Sequence, residues 1–554
     1  VNVGSLSEAE DERGLAHLLE HMAFRRTKHF GPGALKAFLE SQGMRGGSDF
    51  NAFTSFEWTN YQISVSQEAL PQALQLLADW ANGIELDAAE LELERDVVLD
   101  EGRQRQWSTD FYQSLFKVLY ADPKYPNRMP IGDADIVKKA PLAKIKAFYQ
   151  REYQAQRMTL VVAGDIKPQE VEAQAHTLFA GIAKGSSAIG YAPPALASGL
   201  RFFSHRDVLG LAHPKATWSW ILPPDKMSDA DAAFSHFKRG MLGELLQQRL
   251  SIQARKADSP IMEESYFNGH GVSLPTSQGE FTLTVSVKDA QMKNALQVLY
   301  RELERAKRFG FSQDELYRSY EIYRKKQSPQ SSHSAWIQRL QWHVQYGESA
   351  SDVMGDFHQQ RLFFAATTPE VLQSELKRLL LLPDQIATIL LPPAVSSYTM
   401  FFEKTAQNIV EAVQAEVMEN QSVASSNKPL LAALPVPGKI VSEKDDPTTG
   451  GLLMTLSNGL EVLTIPPQAG MDRVGFYARA KGGMAALPKP LSQAGFALTE
   501  YLSQAGLGAF SGGELRQKMS SALELRPIIQ ADLHGLAGEV DVNNLETLLQ
   551  LQYL

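Results

Sequence analysis

The 554-residue sequence contains no cysteine. Disulfide bridges, cysteine-ligated zinc sites, iron–sulfur clusters and thiol nucleophiles are therefore excluded. No apolar run approaches the roughly 18–20 residues of a membrane-spanning helix. Basic tracts with interleaved aromatic residues are also missing, and the net charge of −9 argues against a nucleic-acid-binding surface. A chain of 554 residues is too long to fold around a single hydrophobic core, so about three globular domains are expected.

Both ends of the sequence are atypical of natural termini. The chain starts at Val1, without a methionine, in a strand-like segment. It stops at Leu554 inside a helical pattern that has no cap. We therefore expect that the chain is truncated at both ends and that a signal segment has been lost with the start.

The most informative stretch is residues 14–24, which have the period of an amphipathic helix. Leu15, Leu18, Leu19 and Met22 form its apolar side, and His17, Glu20 and His21 form its polar side. Two histidines at i and i+4 lean over the same turn and can bind one Zn²⁺. A glutamate at i+3 lies within reach of a water on that metal and can act as a general base. The alternative is a surface helix whose polar face carries two unrelated histidines, because such a pattern arises by chance in roughly one chain of this size in fifty.

A third zinc ligand is predicted on a later acidic helix. Asp87, with Glu90 three residues on, resembles a capping box that starts this helix. Glu94, Val97, Val98 and Glu101 follow on one face. The two valines indicate that the face is buried, and a buried carboxylate is costly unless a cation offsets its desolvation. We therefore expect Glu101 to bind zinc and Glu94 to orient a ligating histidine from the outer shell; the alternative is a solvated acidic face.

The order of predicted elements repeats along the chain. A helix at 140–150 precedes a buried strand at 158–163, and a helix at 369–380 precedes a strand at 386–391. At the same offset, Leu246, Arg249 and Leu250 replace His17, Glu20 and His21, and Leu498, Tyr501 and Leu502 replace them in a third region. Residues 456–462 are typical of a β-hairpin. We therefore expect the module to recur with its metal-binding groups replaced.

The domain boundaries follow from these repeats and from the composition of the segments between them. We expect a catalytic zinc-binding module at 1–186, a linker at 187–200, and a second homologous module without a metal site at 201–396. A connector follows at 397–450, and the start of a third module, inactive and incomplete, occupies 451–554.

These residues resemble the pitrilysin/insulinase family of zinc metallopeptidases, the inverzincins. The resemblance rests on residues 14–24, on residues 94–101 and on the Asn-Ala-Phe-Thr run at 51–54, and is supported by 130–132 and 163–165. It is specific in the first module and architectural over the remainder. It implies an α+β fold of repeated modules, each a two-layer sandwich with a mainly antiparallel sheet covered by helices on one face.

Carried over residue by residue, the resemblance implies that His17, His21 and Glu101 bind one Zn²⁺, that Glu20 is the general base and that Glu94 supports the site. It also implies an edge strand that pairs with extended peptide substrates by β-augmentation; this strand comprises Phe50, Asn51, Ala52, Phe53 and Thr54. The expected reaction is hydrolysis of short or unfolded peptides in the periplasm or cell envelope of a bacterium.

Two departures from the family pattern concern other parts of the site. Arg26-Thr27 stands where the family usually has Gly-Thr. The Arg and Tyr that full-length members contribute from the last module have no assignable counterpart here, so a homodimer or a partner chain is one source of the missing half.

Alternative functions remain open. They are a non-catalytic peptide-binding or scaffold protein and a fragment that is inactive without its C-terminal half. The S-ribosylhomocysteine lyases also carry an H-x-x-E-H helix, but they use a cysteine as third ligand, and this chain has none.

Overall fold

The computed structural model describes most of the chain. The described residues are 1–47, 49–185, 195–208, 210–222, 229–269, 279–288, 291–326, 333–346, 357–393, 403–420, 429–466, 473–488, 498, 501–502, 505–510, 515 and 523–554. They form two compact units. The first comprises Val1–Gly310 and Gln327–Glu419, and the second comprises Phe311–Lys326 and Asn420–Leu554.

The N-terminal part of the first unit is mainly helical. Its elements are α1 (Leu15–Met22), α2 (Ala34–Ser41), β1 (Phe50–Thr54), β2 (Thr59–Ile63), α3 (Leu70–Asn82), α4 (Ala88–Gln104), α5 (Gln106–Leu119), α6 (Ala134–Lys139), α7 (Leu142–Glu152) and α8 (Pro168–Phe179). Strands β1 and β2 form an antiparallel pair in which Thr54 lies opposite Thr59.

The core of this part is built on the apolar side of α1. Leu15, Leu18, Leu19 and Met22 are completely buried, as the periodicity predicts. Trp80 of α3 and Phe148 of α7 belong to the same core. The indole Nε1 of Trp80 donates to the carbonyl of Ala23 at 2.9 Å. Burial of one side of α1 thus fixes the direction in which its polar side points.

The middle of the chain carries the largest sheet. The elements that follow are β3 (Gly199–His205), β4 (Lys215–Ile221), α9 (Asp229–Ala254), β5 (Ile261–Gly269), β6 (Glu280–Val287), α10 (Met292–Phe309), α11 (Gln313–Lys326), α12 (His333–Tyr346), α13 (Phe357–Ala365), α14 (Pro369–Leu380), β7 (Asp384–Leu390) and α15 (Glu403–Ala415). Five of these strands form one sheet in the order β3-β7-β4-β6-β5. Only the β3–β7 pair is parallel within this sheet.

The second unit contains α11 and the C-terminal elements. These are β8 (Ile440–Asp446), β9 (Gly451–Leu456), β10 (Glu461–Thr464), β11 (Arg473–Lys481), β12 (Leu523–Ile529), β13 (Leu533–Asp541) and α16 (Leu545–Tyr553). Two antiparallel three-stranded sheets form, in the orders β10-β9-β8 and β11-β13-β12. Val540, Leu548 and Leu551 lie in its core.

The mixed helix and sheet content confirms the predicted α+β class. The hairpin predicted at 456–462 is confirmed, since β9 and β10 flank the Asn458-Gly459 turn. The strand predicted at 158–163 is wrong: this segment is only partly buried and pairs with no strand among the described residues. An apolar run becomes a strand only where a neighbour offers ladder hydrogen bonds. Most of the third-region helix predicted near Leu498 lies outside the described residues, as does much of the 187–200 linker.

Candidate functional site

Helix α1 is held at its N-terminus by two close contacts. Gly14 has a left-handed backbone with φ of 102°, which favours glycine. One carboxylate oxygen of Glu8 accepts hydrogen bonds from the backbone N–H groups of Gly14 and Ala16, at 3.0 and 2.8 Å. Gly132 packs against Gly14 so closely that a methyl group on it would lie 2.2 Å from the Gly14 Cα. The position of the first turn of α1 is therefore tightly constrained.

Helix α4 begins where the sequence predicts. The Asp87 side chain accepts hydrogen bonds from the N–H groups of Ala89 and Glu90, at 2.9 and 3.2 Å, and so satisfies two unpaired donors of the first turn. The buried face consists of Leu91, Glu94, Arg95 and Val98.

The predicted burial of Val97 is wrong, because its exposed fraction is 48%. Adjacent helical residues lie about 100° apart around the axis, so the face centred on Val98 leaves Val97 at its edge. Arg95 fills the other side of that face, with its guanidinium donating to the carbonyls of Val137 and Ala140. These bonds fix α4 against α6.

The two helices bring three potential ligands to one point. Nε2 of His21 lies 3.1 Å from one oxygen of Glu101, and Nε2 of His17 lies 3.7 Å from the same oxygen. One donor atom from each of the three side chains lies within 4.8 Å of the other two. On its other side, Nδ1 of His21 is hydrogen-bonded to Glu94 at 2.9 Å. Glu94 is therefore placed to orient the His21 ring.

The electrostatics of the cluster differ between its two histidines. Burial, together with the charge of His21, lowers the pKa of His17 to about 4. Burial also acts to lower the pKa of His21, but hydrogen bonds with Glu101 and Glu94 outweigh it and raise that pKa to about 9. The hydrogen bond with His21 lowers the pKa of Glu101 to about 2. The carboxylate is thus ionised, and a positive charge beside it is stabilised.

These side chains fit a zinc ion. Two imidazole nitrogens and one carboxylate oxygen form a common protein ligand set of catalytic zinc, which leaves a fourth position open. A metal ligand must have an unprotonated ring nitrogen; His17 supplies one at neutral pH, whereas His21 would release its Nε2 proton on binding the ion. Its Nδ1 is buried and has no hydrogen-bond partner among the described residues.

Glu20 lies on the same side of α1 but in a different setting. It is buried, with an exposed fraction of 7%, and burial raises its pKa above the usual range. The Thr54 hydroxyl donates to Glu20 Oε2 at 2.7 Å, which acts in the opposite direction. A buried carboxylate with a raised proton affinity is suited to accept a proton.

Strand β1 lies beside α1. Phe50, Ala52 and Thr54 are partly buried, whereas Asn51 and Phe53 are exposed. Among the described residues β1 forms a two-stranded sheet with β2 alone. Its other edge carries no further strand of the described part of the chain, and at the start of that edge the N–H of Gly47 donates to the carbonyl of Phe50 at 2.9 Å. The Phe53 and Trp58 rings contact each other with centroids 5.0 Å apart.

Several residues of the site do not follow from the sequence pattern. Arg25 lies one turn beyond His21 and contacts Glu90 and Glu94, at 2.6 and 3.5 Å. Arg105 lies 2.8 Å from the second oxygen of Glu101. The spacing of Arg105, four residues after Glu101, is the one available signal, because i and i+4 side chains meet on a helix.

Comparison with protein families gives two matches along the chain. The profile described as "Insulinase (Peptidase family M16)" matches residues 1–128. The profile described as "Peptidase M16 inactive domain" matches residues 139–323.

Individual relatives agree with these profiles. The probable zinc protease PqqL of Escherichia coli is 30% identical over 323 residues, covering 57% of this chain and 34% of that protein. The zinc protease PQQL-like of Arabidopsis thaliana is 26% identical over 575 residues, covering 100% and 53%. Subunit 1 of the bovine mitochondrial cytochrome b-c1 complex is 30% identical over 218 residues, covering 38% and 44%. The chain thus spans about a third to a half of the length of these relatives.

Solved structures show the same fold. The crystal structure of the periplasmic protease PqqL from Escherichia coli superposes with a TM-score of 0.67 at 22% identity, over 100% of this chain and 62% of that one. Pitrilysin superposes with a TM-score of 0.66 at 17% identity, over 100% and 59%. Residues 1–128 and 139–323 are thus domains of peptidase family M16, the insulinase and pitrilysin family, and the chain has the fold of these solved structures.

Proposed function

We propose that this chain carries the active site of a zinc-dependent endopeptidase that hydrolyses short or unfolded peptides. The observation that carries the proposal is the convergence of His17, His21 and Glu101 within 4.8 Å of one another, with Glu20 nearby and not among them. Relatives named as zinc proteases support it.

In this proposal His17, His21 and Glu101 hold one zinc ion. When bound, zinc lowers the pKa of a coordinated water to about 7 and polarises the scissile carbonyl. Glu20 accepts a proton from the attacking water and passes it to the leaving amine. Its burial favours this role, because a carboxylate with raised proton affinity accepts a proton readily at neutral pH. Glu94 holds His21 in the tautomer that leaves Nε2 free.

Substrate selection is proposed to depend on β1. An extended peptide would pair with the edge of this strand that lies away from β2, while a folded protein would not. The strand comprises Phe50, Asn51, Ala52, Phe53 and Thr54, and on this edge the Phe50 carbonyl already accepts from Gly47. The described residues include no helix long and apolar enough to cross a membrane. A periplasmic location is proposed by analogy with the periplasmic protease PqqL of Escherichia coli.

The central test compares Glu20→Gln with the parent chain. The variant is expected to bind one zinc per chain with unchanged affinity and to lose nearly all hydrolysis of an unstructured fluorogenic peptide. Glu40→Gln is the matched control, because Glu40 is an exposed residue of α2; it should leave turnover unchanged. A chelator should abolish activity, and added zinc should restore it. Turnover retained by Glu20→Gln would contradict the assigned role.

The second candidate is a non-catalytic member of the family. The match to a cytochrome b-c1 complex subunit, whose name is not that of a protease, favours considering it. Metal analysis separates the two, since a scaffold protein needs no zinc. Full zinc occupancy without hydrolysis would instead indicate that a homodimer or a partner chain must supply further residues.

A further inference from the structure

Thr54 makes a contact that links the candidate base to the candidate substrate strand. Its hydroxyl lies 2.7 Å from Glu20 Oε2, and it is the last residue of β1. Its partner across the pair, Thr59, is almost completely buried, with an exposed fraction of 1%. The contact therefore depends on a fixed hairpin and not on a mobile surface side chain.

The hydroxyl protons of this pair can be assigned. The Thr59 hydroxyl lies 2.8 Å from the carbonyl of Val3 and 3.4 Å from the Thr54 hydroxyl. Each hydroxyl has one proton, and the shorter bond commits that of Thr59 to Val3. The Thr54 proton has the choice of Glu20 at 2.7 Å or Thr59 at 3.4 Å. The shorter, charge-assisted bond to the carboxylate is preferred.

We propose that Thr54 is a positioning residue for the reaction, whose hydroxyl holds one carboxylate oxygen of Glu20 so that the other oxygen takes the proton of the attacking water. An oxygen that already accepts a hydrogen bond is a poorer proton acceptor than a free one. The bond therefore selects Oε1 as the site of proton transfer and fixes the plane of the carboxylate. This inference rests on the proposed function.

The same strand would also position both the base and the substrate. The backbone of β1 would pair with the peptide, and a side chain of the same strand would hold Glu20. The position of a peptide docked on β1 and the position of the Glu20 carboxylate are then both set by Thr54, so the peptide is held at a fixed distance from the base. Precise placement of this kind matters, since small displacements of a reacting group cost large factors in rate.

The test uses two substitutions at one position in the zinc-loaded chain. Thr54→Val keeps the branched shape and removes the hydroxyl, whereas Thr54→Ser keeps the hydroxyl. We expect Thr54→Val to lower kcat about ten- to hundredfold, as for loss of one hydrogen bond to a charged group, with KM and zinc affinity changed less than about threefold. Thr54→Ser should retain kcat within about threefold.

A binding measurement keeps the test independent of turnover. A peptide with a terminal hydroxamic acid presents a zinc-binding group whose proton Glu20 is placed to accept. Calorimetry should show about tenfold weaker binding for Thr54→Val and near-parental binding for Thr54→Ser. In a Glu20→Gln background, where the side chain cannot take the proton, Thr54→Val should add no further loss.

The outcomes separate the two proposals. Parental binding and kcat in Thr54→Val, or equal impairment of the Ser and Val variants, would overturn the role of Thr54 and leave the zinc peptidase proposal intact. A parent chain that binds neither zinc nor the hydroxamate would overturn the proposed function, and the role of Thr54 with it.

Discussion

Replacement of Glu94 by glutamine tests whether this residue of helix α4 strengthens zinc binding at the candidate site. Glu94 is buried and accepts from His21 Nδ1 at 2.9 Å, so its charge favours the tautomer with a free lone pair on Nε2. Glutamine has the same shape and offers a neutral oxygen to the same Nδ1–H. The substitution thus removes the charge of the outer-shell partner and leaves the three proposed ligands in place.

The expected magnitude follows from the environment of the carboxylate. Mutation of an outer-shell partner of this kind typically lowers metal affinity about 10- to 100-fold. Arg25 lies 3.5 Å from the other Glu94 oxygen and already offsets part of its charge. We therefore expect the lower end of the range, a zinc dissociation constant raised about tenfold, or about 1.4 kcal/mol.

Competition with a chromophoric chelator at pH 7.5 would measure this change. Asp96→Asn is the matched control, because Asp96 is an exposed carboxylate of the same helix and its loss should change the zinc dissociation constant less than twofold. Equal dissociation constants for Glu94→Gln and the parent would refute the role of Glu94. An equal weakening in Asp96→Asn would show that net charge, not the contact with His21, sets the affinity.

Two further predictions concern the folded state. Gly132→Ala would place a methyl group 2.2 Å from the Cα of Gly14 at a φ of +77°. It is expected to lower the free energy of unfolding of the first unit by about 3 kcal/mol or more and to weaken zinc binding. The control Gly33→Ala, with φ of +75° and no atom within 4 Å, should cost only about 1 kcal/mol in urea unfolding, and equal losses in the two variants would contradict the close-contact argument. Burial raises the pKa of Glu280 to about 7, so the folded state keeps a proton that the unfolded state releases near pH 4.5, and stability falls as pH rises from about 4.5 to 7. The cost reaches on the order of 3 kcal/mol above pH 7. Glu280→Gln should remove that slope in unfolding midpoints measured from pH 4.5 to 8, and an unchanged slope would refute the assignment.

Regular helices were predictable because their signals are local. The predicted helix at 369–380 coincides with Pro369–Leu380, since Thr368 caps it and Leu372, Leu376 and Leu379 repeat at helical spacing. The 158–163 segment failed for the opposite reason. Its apolar run is local, but strand formation depends on a partner elsewhere in the chain.

The residues of the candidate site likewise fall into those predictable from local sequence and those that depend on packing between distant elements. His17, Glu20 and His21 lie on two turns of one helix, so helical geometry alone predicts their common side. Glu101 comes from a separate helix, and apart from the family resemblance only the cost of burying a carboxylate indicated it as a ligand. No such cost marks the hydroxyl of Thr54, because an uncharged threonine is unremarkable wherever it lies. Its contact with Glu20 depends on how α1 packs against a hairpin, and that geometry is not encoded in any short pattern.

The second half of the first unit indicates what the polar side of α1 is for. Leu246 and Leu250, which correspond to His17 and His21 in the repeat predicted from the sequence, are buried in α9, with exposed fractions of 1% each. Arg249, which corresponds to Glu20, is also buried and donates to the carbonyl of Gly310 at 2.9 Å. At these three positions α9 therefore packs with leucine and arginine, which are not zinc ligands in proteins. Since apolar residues at these positions are compatible with a buried helix, the two histidines and the glutamate of α1 are not required by the fold. Their placement beside Glu101 is instead explained by the chemistry proposed for this site.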